Sequence, residues 1–232
     1  MKYNRRLFPK IWHSDYTSLI ELRDTIKTVI DKYLPNKSSK LFDFGCGDLP
    51  YKPLFENKVA EYIGGDIAGN PDADIEITPE SDIKLEDKSV DVVLSIQVLE
   101  HVPNVDNYLA EAHRVLKDDS LLLLSTHGWW TYHPFPTDLR RWTVEGLTYE
   151  LNKHGFDVLD SYWVLGMLAY SSQLRVQCFK GLLDEKGFLL GFIFKVICSI
   201  YQISMILWDK ITPDSIGKTN SAIYFMVAKK RK

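Results

Sequence analysis

The chain has 232 residues, 45% of them hydrophobic and 25% charged, with a formal net charge of −3 at pH 7. This is enough for one well-packed domain with an appendage, and the slight acidity gives no reason to expect nucleic acid as a partner. The three cysteines, Cys46, Cys178 and Cys198, stand far apart with no Cys-x-x-Cys or Cys/His spacing. They argue against a disulfide framework or a bound metal and fit a reducing compartment.

In chain order, the opening MKYNRRLFPKIWHSDY carries no apolar core of a secretory signal, so a cytoplasmic protein is expected. Its Arg5, Arg6 and Lys10, like Lys229, Lys230, Arg231 and Lys232 at the other end, read as solvated tails. From Tyr16 to Tyr33 apolar residues recur at helical intervals (Leu19, Leu22, Ile26, Ile30), with Pro35 as the stop. Strands are expected over 41–44, 61–67 and, weakly, 73–77. The β-branched run 90–96 reads as a strand buried on both faces. A helix over 105–116, a strand over 120–127 and a helix over 143–155 follow, the last with Thr143 as N-cap and Gly155 as C-cap. Strands over 156–164 and 221–229 complete the pattern. The alternation argues for a doubly wound α/β domain with a mostly parallel sheet. Four segments result: a helical extension (1–39), a core (40–164), an apolar helical insertion (165–220) and a final strand with a basic tail (221–232).

FDFGCGDLPY, residues 42–51, places a glycine turn at the end of a buried strand. A P-loop would need a Lys-Ser/Thr pair after its second glycine, and none follows. A dinucleotide turn would need a third glycine where Pro50 stands. A cationic ligand with a carboxylate suits the turn better. Gly45 and Gly47 let the backbone approach, Asp43 and Asp48 supply negative potential, and N–H groups opening the next helix suit the carboxylate. Asp66, 21 residues beyond Gly45, ends the second strand, where a carboxylate accepts hydrogen bonds from ribose hydroxyls.

The motifs Asp43-Phe44-Gly45-Cys46-Gly47, Gly65-Asp66, Asp87-Lys88-Ser89-Val90-Asp91 and Ser95-Ile96-Gln97-Val98-Leu99-Glu100-His101-Val102, in that order, resemble class I S-adenosylmethionine-dependent methyltransferases, closest to the type 11 group. Arg114-Val115-Leu116-Lys117 matches that group too. The resemblance covers roughly residues 40–160. It implies a Rossmann-like seven-stranded sheet with helices on both faces and an antiparallel last strand, and S-adenosyl-L-methionine as cofactor. It also implies that Asp43, Gly45, Cys46 and Gly47 line the methionine end and Asp66 the ribose. Ile67 would pack on the adenine, Asp82 and Ile83 would lie beside its amino group, and Ser95 and Gln97 would face the methionine portion.

A hydroxyl acceptor would need a base, and histidine titrates in the right range. His127 and His133 are the candidates in THGWWTYHPFPTDLRRWT (126–143), with Asp138 as orienting partner or alternative base. Asp138 and Arg141 read equally well as a loop-ordering ion pair, and His101 as a helix-start residue. Trp129, Trp130, Tyr132 and Phe135 are expected to wall an acceptor pocket. The pattern His-x-x-Pro-x-Asp-x-x-Arg is similar to segments of type-11-like enzymes of bacterial surface-polysaccharide pathways, which implies O-methylation of a glycan or lipid-linked saccharide. Methylation of a lipid-soluble ring such as a quinone precursor, or binding of the cofactor without turnover, are the rival readings.

The stretch GFLLGFIFKVICSIYQISMILW (187–208) nears the length of a bilayer span. Gly191, Lys195, Ser199 and Gln202 trace one weakly polar stripe along it. Three readings stand: a buried core helix, a surface lying in a membrane interface or against a second subunit, and a true span. A peripheral contact would place the protein on the inner face of the membrane.

Overall fold

The computed structural model of the chain describes residues 4–34, 38–134, 137–183 and 188–232; Pro35, Phe135 and Gly187 lie outside them. In chain order the elements are α1 (Tyr16–Tyr33), β1 (Lys40–Phe44), α2 (Lys52–Phe55), β2 (Glu61–Ile67), β3 (Ile75–Ile77), β4 (Val90–Ile96) and α3 (Val105–Val115). There follow β5 (Leu116–His127), α4 (Val144–Lys153), β6 (Phe156–Gly166), α5 (Met167–Leu183), α6 (Phe188–Ile211), α7 (Asp214–Thr219) and β7 (Ser221–Lys230). The seven strands form one sheet in the order β3-β2-β1-β4-β5-β7-β6. β1 to β5 pair in parallel, and β7 runs antiparallel to both of its neighbours.

The two-residue period of the strands sorts the core into two layers. On one face, Leu41 of β1, Val92 and Leu94 of β4, and Phe225 and Val227 of β7 pack with Leu22, Ile26 and Ile30 of α1, Val176 of α5 and Met205 of α6. On the other, Phe42, Phe44, Val93, Leu122 and Met226 pack against Leu109 and Val115 of α3 and Leu147 and Leu151 of α4. Thr143 caps α4 by accepting a hydrogen bond from the Gly146 N–H, and Gly155 takes the left-handed conformation just past its end (φ +81).

The N-terminal basic segment is not a free tail. Leu7 is buried, the Asn4 amide donates to the Pro50 carbonyl at 2.6 Å, and Arg5 pairs with Asp15 at 2.5 Å. Burial of Leu7 and Pro9 anchors a segment that its arginines and Lys10 made look solvated.

Between β6 and β7, α5 and α6 pack as a hairpin. The polar stripe of α6 is not a single surface. Gln202 is fully buried, its Oε1 accepting from the N–H and hydroxyl of Thr17 at 2.9 and 2.7 Å, whereas Lys195 is exposed. Cys198 and Met205 are buried beside it. The opposite side of α6 is apolar and open, so the helix covers the core with one face only.

Candidate active site

The carboxyl ends of β1, β2, β4 and β5 converge on one cavity of about 1340 Å³. The glycine turn after β1 forms its floor. Gly45 sits at φ +91, and a Cβ there would meet Val98 Cγ2 at 2.6 Å, so packing within the turn demands glycine. Gly47, at φ +55, has open space where its side chain would be, and it is this missing Cβ that leaves room in the cavity.

Two carboxylates face that space. Asp43 is buried and accepts the Tyr62 hydroxyl at 2.5 Å; burial pushes its pKa up to about 7. Asp66 accepts from the Gly47 N–H at 2.8 Å and the Asn70 amide at 2.7 Å through Oδ2, and from the Ile67 N–H at 2.8 Å through Oδ1. It thereby ties β2 to the turn. Ile67 is 55% exposed on the wall, an apolar shelf in an otherwise polar corner. Burial lifts the Cys46 thiol to about 12, so Cys46 lines the site as an inert thiol. Gln97, in the left-handed region at φ +58, lines the cavity and donates to the Ser125 hydroxyl at 2.7 Å.

Three expected site residues lie elsewhere. Ser95 is fully buried on the far face of β4, hydrogen-bonded to the Tyr108 hydroxyl at 2.9 Å. Asp82 closes a turn on itself, its N–H donating to the Thr78 hydroxyl at 3.0 Å, and its neighbour Ile83 is turned into the core. Thr78, Pro79 and Ser81 take the wall that Asp82 and Ile83 were expected to form. The reason is the short β3 and the tight turn after it, where Ser81 stands at φ +77.

The second wall is the segment after β5. His127 is almost wholly buried, stacked on Trp130 with ring centroids 4.9 Å apart, and its Nδ1 lies 3.2 Å from Oε1 of the fully buried Glu100. Neither atom has a hydrogen-bond partner among the described residues, so the two lie close without being aligned for a bond. A turn of the ring would let one proton serve both. Burial keeps the ring neutral, pushing its pKa down to about 2, and raises that of Glu100. The Thr126 hydroxyl donates to Glu100 Oε2 at 2.8 Å, which favours the carboxylate form. In that alignment Nδ1–H would donate to Glu100, leaving Nε2 across the ring as an acceptor. His133 is half-buried, with its ring 5.8 Å from those of His127 and His101, and burial lowers its pKa too. Expectations built on an ordinary histidine pKa therefore fail at both positions.

Asp138 is no base. Arg141 grips it through two contacts of 2.5 and 2.6 Å and holds its carboxyl down to about 2. Arg141 also donates to the carbonyls of Trp130 and Thr131, so the pair orders the loop. Trp130 and Tyr132 line the cavity, while Trp129 is outside that lining and 59% exposed. Two contributors were missed from sequence: Glu100, whose position beside His101 hid its partnership with His127, and Arg6, which the folded-back N-terminus brings to the cavity rim.

The profile of the family described as "Methyltransferase domain" matches residues 18–160. A protein of Mycolicibacterium smegmatis named "probable S-adenosylmethionine-dependent methyltransferase" is 30% identical over 139 residues, 53% of this chain and 54% of that protein. The chain thus spans about half the length of this curated relative. Among solved structures, the [4+2]-cyclase SpnF is similar with a TM-score of 0.58 at 16% identity, covering 90% of this chain and 81% of that one. Phosphoethanolamine N-methyltransferase 2 of Haemonchus contortus, solved with phosphomonomethylethanolamine and S-adenosylhomocysteine, has a TM-score of 0.53 at 16% identity, covering 90% and 53%. Likeness at such identity shows the fold alone.

Proposed function

From the premise that this chain belongs to the class I S-adenosylmethionine-dependent methyltransferases, we propose that it methylates a hydroxyl of a glycan or lipid-linked saccharide at the cytoplasmic face of the membrane. When bound, S-adenosylmethionine supplies a methyl group already activated by its sulfonium. The cavity fits that molecule in its chemistry: the open space at Gly47, a buried carboxylate at Asp43 for a cation, Asp66 for a diol and Ile67 for a flat base. Arg6, exposed on the same lining, is suited to the carboxylate.

The chain's own work is alignment and proton removal. Neutral His127 accepts the acceptor hydroxyl's hydrogen bond at Nε2 and orients its oxygen; so weak a base takes the proton only as methyl transfer makes it strongly acidic, with Glu100 beside Nδ1 to answer the charge. The observation carrying this reading is a neutral His127, with Glu100 3.2 Å from its Nδ1, on the same cavity as the glycine turn. Trp130 and Tyr132 suit the apolar face of a sugar ring.

The test is incubation of the chain with methyl-labelled cofactor and fractionated polar and lipid extracts. Label should enter saccharide-bearing material. Label found only in a lipid-soluble ring compound would transfer the reading to that substrate. Cofactor binding by calorimetry with no acceptor in any fraction would replace turnover with sensing.

A further inference from the structure

α6 carries two faces of different character. Taken at 100° per residue, Leu189, Phe192, Val196, Ile200, Ile203 and Leu207 fall on one stripe about 80° wide and about 27 Å long. These six side chains are between 46% and 69% exposed. The face opposite is packed into the domain by Cys198, Gln202 and Met205. An apolar strip of this length on a monomer is a contact surface.

Among the described residues of the hairpin, the exposed ions are of one sign. Arg175 and Lys180 on α5 and Lys195 and Lys210 on α6 are exposed, and none has an ion-pair partner among the described residues. The hairpin's one carboxylate among the described residues, Asp209, points inward, accepting the Gly166 N–H at 2.9 Å. A chain of net charge −3 therefore presents a locally cationic apolar face.

We propose that the α5–α6 hairpin docks on an anionic lipid surface, with α6 lying in the plane of the interface and its apolar stripe inserted among the acyl chains. The charges decide between occupants. Two copies of the stripe packed on each other would bring like charges together with no exposed carboxylate from the described hairpin to answer them. Anionic headgroups answer all four cations. Although α6 is long and apolar enough to cross a bilayer, spanning would tear Gln202 from Thr17 and expose Cys198 and Met205. Trp208, 43% exposed on the flank of α6 about 80° from the stripe, suits an interfacial anchor. The same hairpin walls the cavity through Gln173, Leu174 and Gln177 of α5, so docking would bring the site to the lipid surface. The surface is inferred without reference to methyl transfer.

The test is flotation of the purified full chain with vesicles of phosphatidylcholine alone and with about a third phosphatidylglycerol, at low and high salt. Binding should be at least tenfold stronger to the anionic vesicles and weaken in high salt. The double variant Ile200→Glu, Ile203→Glu, altered only at exposed positions, should lose vesicle binding while keeping its thermal melt and calorimetric cofactor affinity. Lys195→Glu with Lys210→Glu should abolish the anionic preference. The proposal is overturned if the chain binds neither vesicle, if the Ile200/Ile203 variant floats like the parent, or if the parent forms a concentration-dependent dimer that this variant abolishes. Cofactor affinity, measured on the same samples, separates failure of this surface from failure of the active-site reading.

Discussion

Asp43 shows how one buried side chain couples ligand binding to pH. Burial raises its pKa to about 7, so near neutrality much of the protein holds a proton there. A cation beside it favours the ionised form, and binding below pH 7 must therefore expel that proton. Cofactor affinity should fall by up to about tenfold per pH unit below 7 and level off above it. Calorimetry in buffers of different ionisation enthalpy should register proton release in the wild type and none in Asp43→Asn. Affinity independent of pH in the wild type would remove Asp43 from the ligand's cation. Glu100 acts one step further from the chemistry, through His127. Glu100→Gln removes the charge that answers a protonated ring, and kcat should drop about 10–100-fold with cofactor affinity unchanged. Because burial keeps His127 neutral, no rise in kcat near pH 6.5 is expected in either protein. A kcat limb near that pH would point to a different histidine.

Among the elements, those with an unmixed signal were legible. β2 and β4 begin and end as read, and in β4 a β-branched run between turn residues leaves little choice. β5 starts at Leu116, earlier than Ser120, because Leu116 already pairs with Val90 in a register that sequence does not carry. α5 went unread within the insertion: its polar and apolar residues serve a cavity wall and two packing partners at once, so no clean period emerges. After β5 the Asp138–Arg141 ion pair was one of two readings open in the sequence, and the geometry selects it, whereas the approach of Glu100 to His127 was hidden. Equally hidden was the contact that seats the hairpin, where Glu21 of α1 meets Asp209 of α6. Burial, and then the neighbouring carboxylate, raises Glu21, and burial raises Asp209 to about 6. Asp209 Oδ2 has no hydrogen-bond partner among the described residues, and a proton held between the two acids would fill the place. Both folded-state pKa values lie above their unfolded ones, so this contact contributes fully below about pH 4 and loses strength as pH rises through 6. Asp209→Asn should leave stability near pH 4 little changed. At pH 8 it should gain about 1 kcal/mol, a figure discounted for the solvent that Asp209 still meets. Unfolding in urea at the two pH values measures both; an equal effect at each would show that the acids do not share a proton.

For the whole molecule, strand order and chain order are at odds in one place. β6 occupies the sheet edge and pairs only with β7, yet residues 167–220 separate the two in sequence. Removing residues 221–232 would strip both β5 and β6 of a partner and open both layers of the core. Loss of the cooperative melt is the expected result, against a mere drop in midpoint if β7 were peripheral. The order of synthesis turns this into a matter of timing. At about 5–20 residues per second, roughly 3–10 s pass between completion of β6 and arrival of its partner. During that interval α6 is made while the sheet that holds its inner side is unfinished. A nascent chain in that state offers a helix of membrane-spanning length to whatever meets it first, and the late closure of β7 is what withdraws half of that helix from the offer.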